Sequence, residues 1–196
     1  MPDGSFPEEE LVFKEMNKLD VFADKQTPEL QSIEWELLGP HSIPQSFGAG
    51  RTQGLGRINV IRFDPQNSHT LWVGTATGGV WKSTDKGETW STFPFTNYLS
   101  LGVSDIAIYP KNSSVVYVST GDDNGTYGTG GNYYSIGLIR TYNGGLTWES
   151  TSLSHELDDN FIISRVLIHP TNYNKLIVAT SEGVFLSNDA GKNWEQ

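Results

Sequence analysis

From residue 57 onward, apolar positions come in short bursts broken by Gly, Asn, Asp and Pro, and the bursts recur in a fixed order. Arg57–Pro65, Gly102–Pro110 and Ile162–Pro170 each run apolar-rich into a proline, with Asn67, Asn112 and Asn172 two residues further on. A β-branched run ending in threonine follows each time, at Leu71–Thr75, Val116–Thr120 and Leu176–Thr180. Then comes a glycine with a third burst, at Gly79–Ser83, Gly137–Thr141 and Gly183–Ser187, and a tryptophan-bearing fourth. Runs this short, bounded by turn formers, predict strands, and no helical period separates them as a βαβ chain would require. The expected fold is all-β, made of four-stranded antiparallel units joined by tight turns.

The turn between the third and fourth strands is the sharpest repeat. Ser83-Thr84-Asp85-Lys86-Gly87-Glu88-Thr89-Trp90 returns as Thr141–Trp148 and as Ser187–Trp194, under the pattern [Ser/Thr]-x-[Asp/Asn]-x-Gly-x-[Thr/Asn]-Trp. Asp85, Asn143 and Asp189 are expected to accept bonds from loop N–H groups, as in an Asx-turn. Gly87, Gly145 and Gly191 are expected to supply positive φ. Ser83, Thr141 and Ser187 tie the neck of the loop, and Trp90, Trp148 and Trp194 are expected to bury against the sheet. Asn143 keeps the acceptor without the charge, which favours a bonding role over a catalytic or calcium-binding one. A unit of four strands repeated in this way reads as a propeller blade. The blades fall at about 57–94, 102–152 and 162–196.

Residues 1–32 differ from the rest. Ser5, Pro7 and Glu8–Glu10 form a helix-start signal, and Val12, Met16 and Leu19 share one face, predicting a helix over roughly 7–20 within a helical or linker segment. Ile33–Leu38 carries Trp35 and resembles a lone fourth strand, expected to close a ring by completing a last blade. Three blades are fewer than a closed propeller uses, so residues 33–196 are expected to be the first part of a larger one.

Composition narrows function by exclusion. A formal net charge of −10 repels phosphate backbones, so nucleic acid is not an expected partner. No run of 18 apolar residues predicts a membrane span. There is no cysteine, which excludes thiol chemistry and disulfides, and His41, His69, His155 and His169 lack zinc-ligand spacing. No metal or cofactor is expected.

The octapeptides are those of the Asp-box, or bacterial neuraminidase repeat. With Trp35-x-Leu-x-Gly-Pro40, Gly56-Arg-Ile-Asn59, Val73-Gly-Thr75, Gly78–Gly87 and Thr120-Gly-Asp122, they make the chain resemble sortilin-type and xyloglucanase-type Asp-box propellers. It is similar above all to secreted propeller proteins of Bacteroidetes-type bacteria. The resemblance covers about residues 33–196. It implies a β-propeller, an extracellular or cell-surface location, and a structural role for the repeat.

Candidate chemistry lies where the long connections gather. The connections from second to third strand and from fourth strand to the next unit share one face of the expected array, and they include 39–56, 93–102, 121–135 and 151–162. Long loops on a rigid scaffold are where function concentrates. Loop 121–135 offers Asp122, Asp123 and Asn124 as oxygen donors and Tyr127, Tyr133 and Tyr134 as stacking planes. It reads equally as a solvated Gly-rich loop, and its acids do not match an EF-hand spacing. Arg57, Asn59, Ser104, Asp105, Ser164 and Arg165 stand near the starts of the first strands, as ligand contacts or as a polar channel lining. Arg57-Ile58-Asn59 lacks the proline of the Arg-Ile-Pro motif of sialidases. In xyloglucanase-type propellers an Asp follows the threonine that ends a second strand; here that position is Ala76, Gly121 or Ser181. The expected function is therefore a binding module for a glycan or a protein or peptide ligand. The alternative is a glycoside hydrolase, xyloglucanase- or sialidase-like, whose carboxylate pair lies mostly in other blades.

Overall fold

A computed structural model of the chain describes residues 56–93, 101–122, 135–156, 159 and 161–196. The helix expected over 7–20, the strand over 33–38, most of loop 121–135 and the bulk of segments 39–56 and 93–102 lie outside the described residues. So do Asp123, Tyr127, Tyr133 and Tyr134.

Among the described residues eleven strands form three antiparallel sheets, and there is no α-helix. The first sheet holds β1 (Ile58–Asp64), β2 (Asn67–Thr75), β3 (Val80–Ser83) and β4 (Ser91–Thr92), hydrogen-bonded in that order. The second holds β5 (Val103–Ile108), β6 (Val116–Thr120), β7 (Gly137–Thr141) and β8 (Glu149–Ser154), again in order. The third holds β9 (Ile163–Ile168), β10 (Leu176–Thr180) and β11 (Gly183–Ser187), with one further bridge from Leu186 to Glu195. The threonine that closes each second strand has a common role. Thr75, Thr120 and Thr180 each donate through Oγ1 to the carbonyl of Gly79, Gly137 or Gly183, at 3.1, 2.7 and 3.0 Å, pinning the turn into the third strand.

The motif hairpins are bonded as their residue types require. Asp85 Oδ1 accepts from Ser83 Oγ at 2.7 Å and from the Thr89 N–H at 2.9 Å, and Thr89 Oγ1 donates to Oδ2. Asp189 repeats this with Ser187 and Asn193. In the middle copy Asn143 Oδ1 accepts from Thr141 and the Thr147 N–H, but its amide donates to Thr147 Oγ1 at 2.8 Å, so that one bond reverses direction. The Thr89 hydroxyl and N–H, with Ser83, hold the Asp85 carboxyl at about 2. The Asn193 amide and N–H, with Ser187 and the Lys192 N–H, do the same for Asp189. Two successive residues of each hairpin have positive φ, the glycine and the residue before it: Lys86, Gly144 or Ala190. In the second and third copies, glycine at the second position is required by proximity as well as by φ. A Cβ on Gly145 would lie 2.4 Å from Phe93 Cε1, and one on Gly191 3.0 Å from Thr151 Cγ2, because these hairpins dock on the preceding sheet.

That docking organises the core. Strand register places Trp72 between Arg62 and Lys82, Tyr117 between Ala107 and Arg140, and Ile177 between Leu167 and Leu186, each row on the forward face of its sheet. Trp72 and Tyr117 are fully buried against the sheet that follows. Lys82 Nζ, 4.6 Å from the Trp72 ring centroid, donates to the Gly144 carbonyl at 3.2 Å. Arg140 Nη1 donates to the Ala190 carbonyl, the same position one unit later. Gly74 makes the approach possible, since a Cβ there would meet Val103 Cγ1 at 2.4 Å. The motif tryptophans share in this packing unequally. Trp148 meets Trp72 and Phe93 edge-on, and Trp194 packs against the cluster between the second and third sheets. Trp90 was expected to bury and is 40% exposed, because among the described residues no sheet precedes its own.

Candidate functional site

The first strands β1, β5 and β9 lie side by side, β5 contacting both others. Near their starts each carries a register shift or a polar residue where the core pattern would place an apolar one. The result is a cleft of about 390 Å³ with Asn59, Arg62, Ser104, Asp105, Ser164 and Arg165 in its wall. Each of the three sheets supplies part of that wall, so the cleft exists only when the sheets are assembled.

Asp105 anchors the cleft. It is 1% exposed, and its Oδ1 accepts from Arg62 Nη2 at 2.5 Å and from the Ile106 N–H at 2.9 Å. Its Oδ2 accepts from the Val166 N–H at 3.1 Å, with Arg165 Nε at 3.7 Å. One carboxylate thus ties together all three sheets. Arg62 also donates from Nε to the Ile106 carbonyl at 2.9 Å and from Nη1 to the Ile61 carbonyl at 3.2 Å. Arg165 differs: its side chain is 59% exposed, and among the described residues it makes no side-chain hydrogen bond.

A second cluster adjoins the first through Asn59. Asp122, also 1% exposed, is ion-paired with Arg57 and accepts from Asn59 Nδ2 at 3.2 Å. The same amide donates to the Val103 carbonyl at 3.0 Å. The structure therefore brings together Arg57, Asn59 and Asp122 in one group, and Asp105 with Arg165 in another. Arg62 was missed by sequence reasoning. Counting back from the proline of each unit, it aligns with Ala107 and Leu167, so a cation at an otherwise apolar position was the available signal. Beside Arg57 a more apolar cavity of about 530 Å³ opens along the first sheet, with Trp81 and Trp90 in its wall. Among the described residues no group of three His, Cys, Asp or Glu side chains is placed to hold a metal ion, and no helix is long and apolar enough to cross a membrane.

No family model matches the chain. It is 33% identical over 115 residues to a probable oligoxyloglucan-reducing end-specific xyloglucanase of Neosartorya fischeri, a match that takes in 56% of this chain and 12% of that protein. The chain thus spans about an eighth of the length of that relative. Among solved structures, an ancestral GH74 enzyme superposes with a TM-score of 0.58 at 24% identity, over 71% of this chain and 18% of its own. YCF48 from Cyanidioschyzon merolae superposes with a TM-score of 0.51 at 20% identity, over 71% and 39%. These likenesses show the fold: the three sheets are those of a propeller-type protein, similar in fold to the GH74 enzyme and to YCF48.

Proposed function

We propose that this chain is part of an extracellular or cell-surface Asp-box propeller that binds a glycan in the cleft where the first strands begin. The observation that carries the reading is the cleft itself, with polar side chains delivered to one place from three successive sheets. Concave sites with a few convergent polar groups are where small ligands are held. A glycan is favoured over a peptide because the curated relative at 33% identity acts on a xyloglucan oligosaccharide by name. Tyr127, Tyr133 and Tyr134, in the connection that follows Asp122, would supply stacking planes for sugar rings. The described carboxylates at the cleft do not serve as an acid and base pair. Asp105 and Asp122 are buried and each is held by an arginine, an arrangement that fixes a carboxylate in place instead of presenting it to a glycosidic bond.

Calorimetric titration with a panel of oligosaccharides that includes xyloglucan fragments tests the reading. Binding is expected, weakened by Tyr133→Ala and Tyr134→Ala with thermal stability kept. Binding that survives both changes together with loss of segment 122–134 would place the site elsewhere. The second reading, a glycoside hydrolase, is favoured by the xyloglucanase relative alone. Release of reducing ends by this chain, abolished by Asp122→Asn, would establish it.

A further inference from the structure

The three sheets pack by one rule, and among the described residues the rule leaves two faces over. The forward face of the first sheet lies on the rear face of the second, and the forward face of the second on the rear face of the third. Each covered rear face presents an apolar row: Ile106, Val118 and Ile139 in the second sheet, and Val166, Val178 and Phe185 in the third. The first sheet carries the same row as Ile61, Val73 and Trp81, with the 530 Å³ cavity against Val73 and Trp81. Ile61 is 50% exposed where its equivalents Ile106 and Val166 are buried. On the forward face of the third sheet, Leu167, Ile177 and Leu186 stand where Ala107, Tyr117 and Arg140 stand in the second, and all three are exposed. Val184, the equivalent of buried Val80 and Leu138, is exposed as well. Apolar faces of this kind mark sites of contact.

The hairpins say which sheet fits there. Lys86, Gly144 and Ala190 hold one position in the three copies, each donating its N–H to the equivalent carbonyl, of His69, Ser114 or Asn174. Where that residue is small and uncharged, the preceding sheet brings a cation to it: Lys82 to Gly144, and Arg140 to Ala190. The first hairpin carries a cation of its own, the exposed Lys86. A lysine or arginine facing it would set like charges together, whereas Leu186 can lie against the aliphatic stem of Lys86 without that cost. Leu186 at the donor position is therefore matched to the first sheet's hairpin, with apolar contact replacing the clamp bond. We propose that a second copy of this chain occupies the forward face of the third sheet, seating its first sheet there and receiving the first sheet of its partner on its own third. The two contacts are related by a twofold axis, so association stops at two copies. Three sheets from each copy make a ring of a size that closed propellers use.

Sedimentation equilibrium of the 196-residue chain tests this. At about 50 μM, where a contact of micromolar dissociation constant is mostly formed, the expected mass is twice that of the chain. Leu186→Lys, which sets a cation against Lys86, should weaken association by about tenfold or more. Adding Lys86→Gly rebuilds the Lys82 and Gly144 pairing across the contact, and should bring association back to within about twofold of the parent. Glycine suits that position, where φ is 64°. Ile61→Lys blocks the other face and should weaken association as well. An equimolar mixture of Leu186→Lys and Ile61→Lys chains should pair more tightly than either alone, because one contact of the mixed pair joins two unaltered faces. Pairing of like faces cannot produce that result. Circular dichroism of each variant, at a dilution where the parent is single, checks that it is folded. A parent chain that stays single at the higher concentration overturns the proposal, and a fall in its melting temperature with Leu186→Lys would then show that the face is covered within one chain. Assembly that grows past two copies overturns the twofold closure. Pairing that ignores Leu186→Lys or Ile61→Lys, or a mixture no tighter than its components, overturns the arrangement of faces.

Discussion

Replacing Asp105 with alanine removes one side chain from the second sheet and takes a partner from both neighbours. The Val166 N–H in the third sheet loses its 3.1 Å acceptor, and Arg62 in the first loses its 2.5 Å carboxylate. Stranding one buried N–H costs about 1–3 kcal/mol. Breaking a buried ion pair from one side costs about 3–5 kcal/mol, but Arg62 is 37% exposed and regains water, which places the pair's share well below that range. The expected loss is about 3 kcal/mol. With a urea slope of about 2 kcal/mol per molar, the unfolding midpoint should drop by about 1.5 M at unchanged slope. The pair Arg62→Met and Asp105→Leu, which removes both charges, should cost less than the sum of the single changes by more than about 1 kcal/mol. A midpoint within about 0.2 M of the parent, or additive single and double changes, would show that Asp105 does not join the sheets as described.

Two further outcomes follow from the hairpins and the close sheet contact. Asp85 and Asp189 are held at about 2 in the fold, below the unfolded carboxylate value, so their stabilisation is complete above that unfolded value and is lost as pH falls through about 2; an acid titration followed by circular dichroism should therefore show a shallower acid limb for Asp85→Asn with Asp189→Asn than for the parent, and an unchanged limb would remove these carboxyls from the account. Gly74→Ala places a methyl 2.4 Å from Val103 and 2.6 Å from Val60, and should destabilise by about 1–3 kcal/mol through overpacking; adding Val103→Ala should recover part of that loss, and no recovery in the urea midpoint would locate the strain elsewhere.

The strands were legible because each unit repeats its own punctuation. The proline and asparagine after the first strand, the threonine ending the second and the octapeptide after the third mark boundaries that hydrogen bonds then realise, down to Asn143 keeping the acceptor role of Asp85 and Asp189. What lies between sheets was not legible. Trp72 and Tyr117 looked like alternating strand residues, and only pairing register shows that they share a face with Lys82 and Arg140. The shifts between Ile58 and Val60 and between Val103 and Asp105 cannot be located from a period of two, yet they bring Asn59 to Asp122 and turn Asp105 toward its neighbours. For the same reason the sequence offered Asp105 as a ligand contact or a channel-lining group without showing that its oxygens accept bonds from both neighbouring sheets. The tyrosines of the 121–135 loop keep the standing that sequence gave them, since they lie outside the described residues.

The clamp between sheets is asymmetric in a way that bears on how such a chain is assembled over evolutionary time. The donor is a particular side chain, Lys82 or Arg140, but the acceptor is a main-chain carbonyl that any residue at that hairpin position provides, whether Gly144 or Ala190. A copied unit therefore arrives with a ready acceptor, and deleting the middle unit would set Lys82 before the Ala190 carbonyl without new chemistry. Order is written only on the donor side. The third sheet carries Leu186 at the donor position, in one row with exposed Ile177 and Leu167, so a rearrangement that put it ahead of another hairpin would leave that carbonyl unclaimed. Units of this kind can be received anywhere in the series, but only some of them can pass the series on.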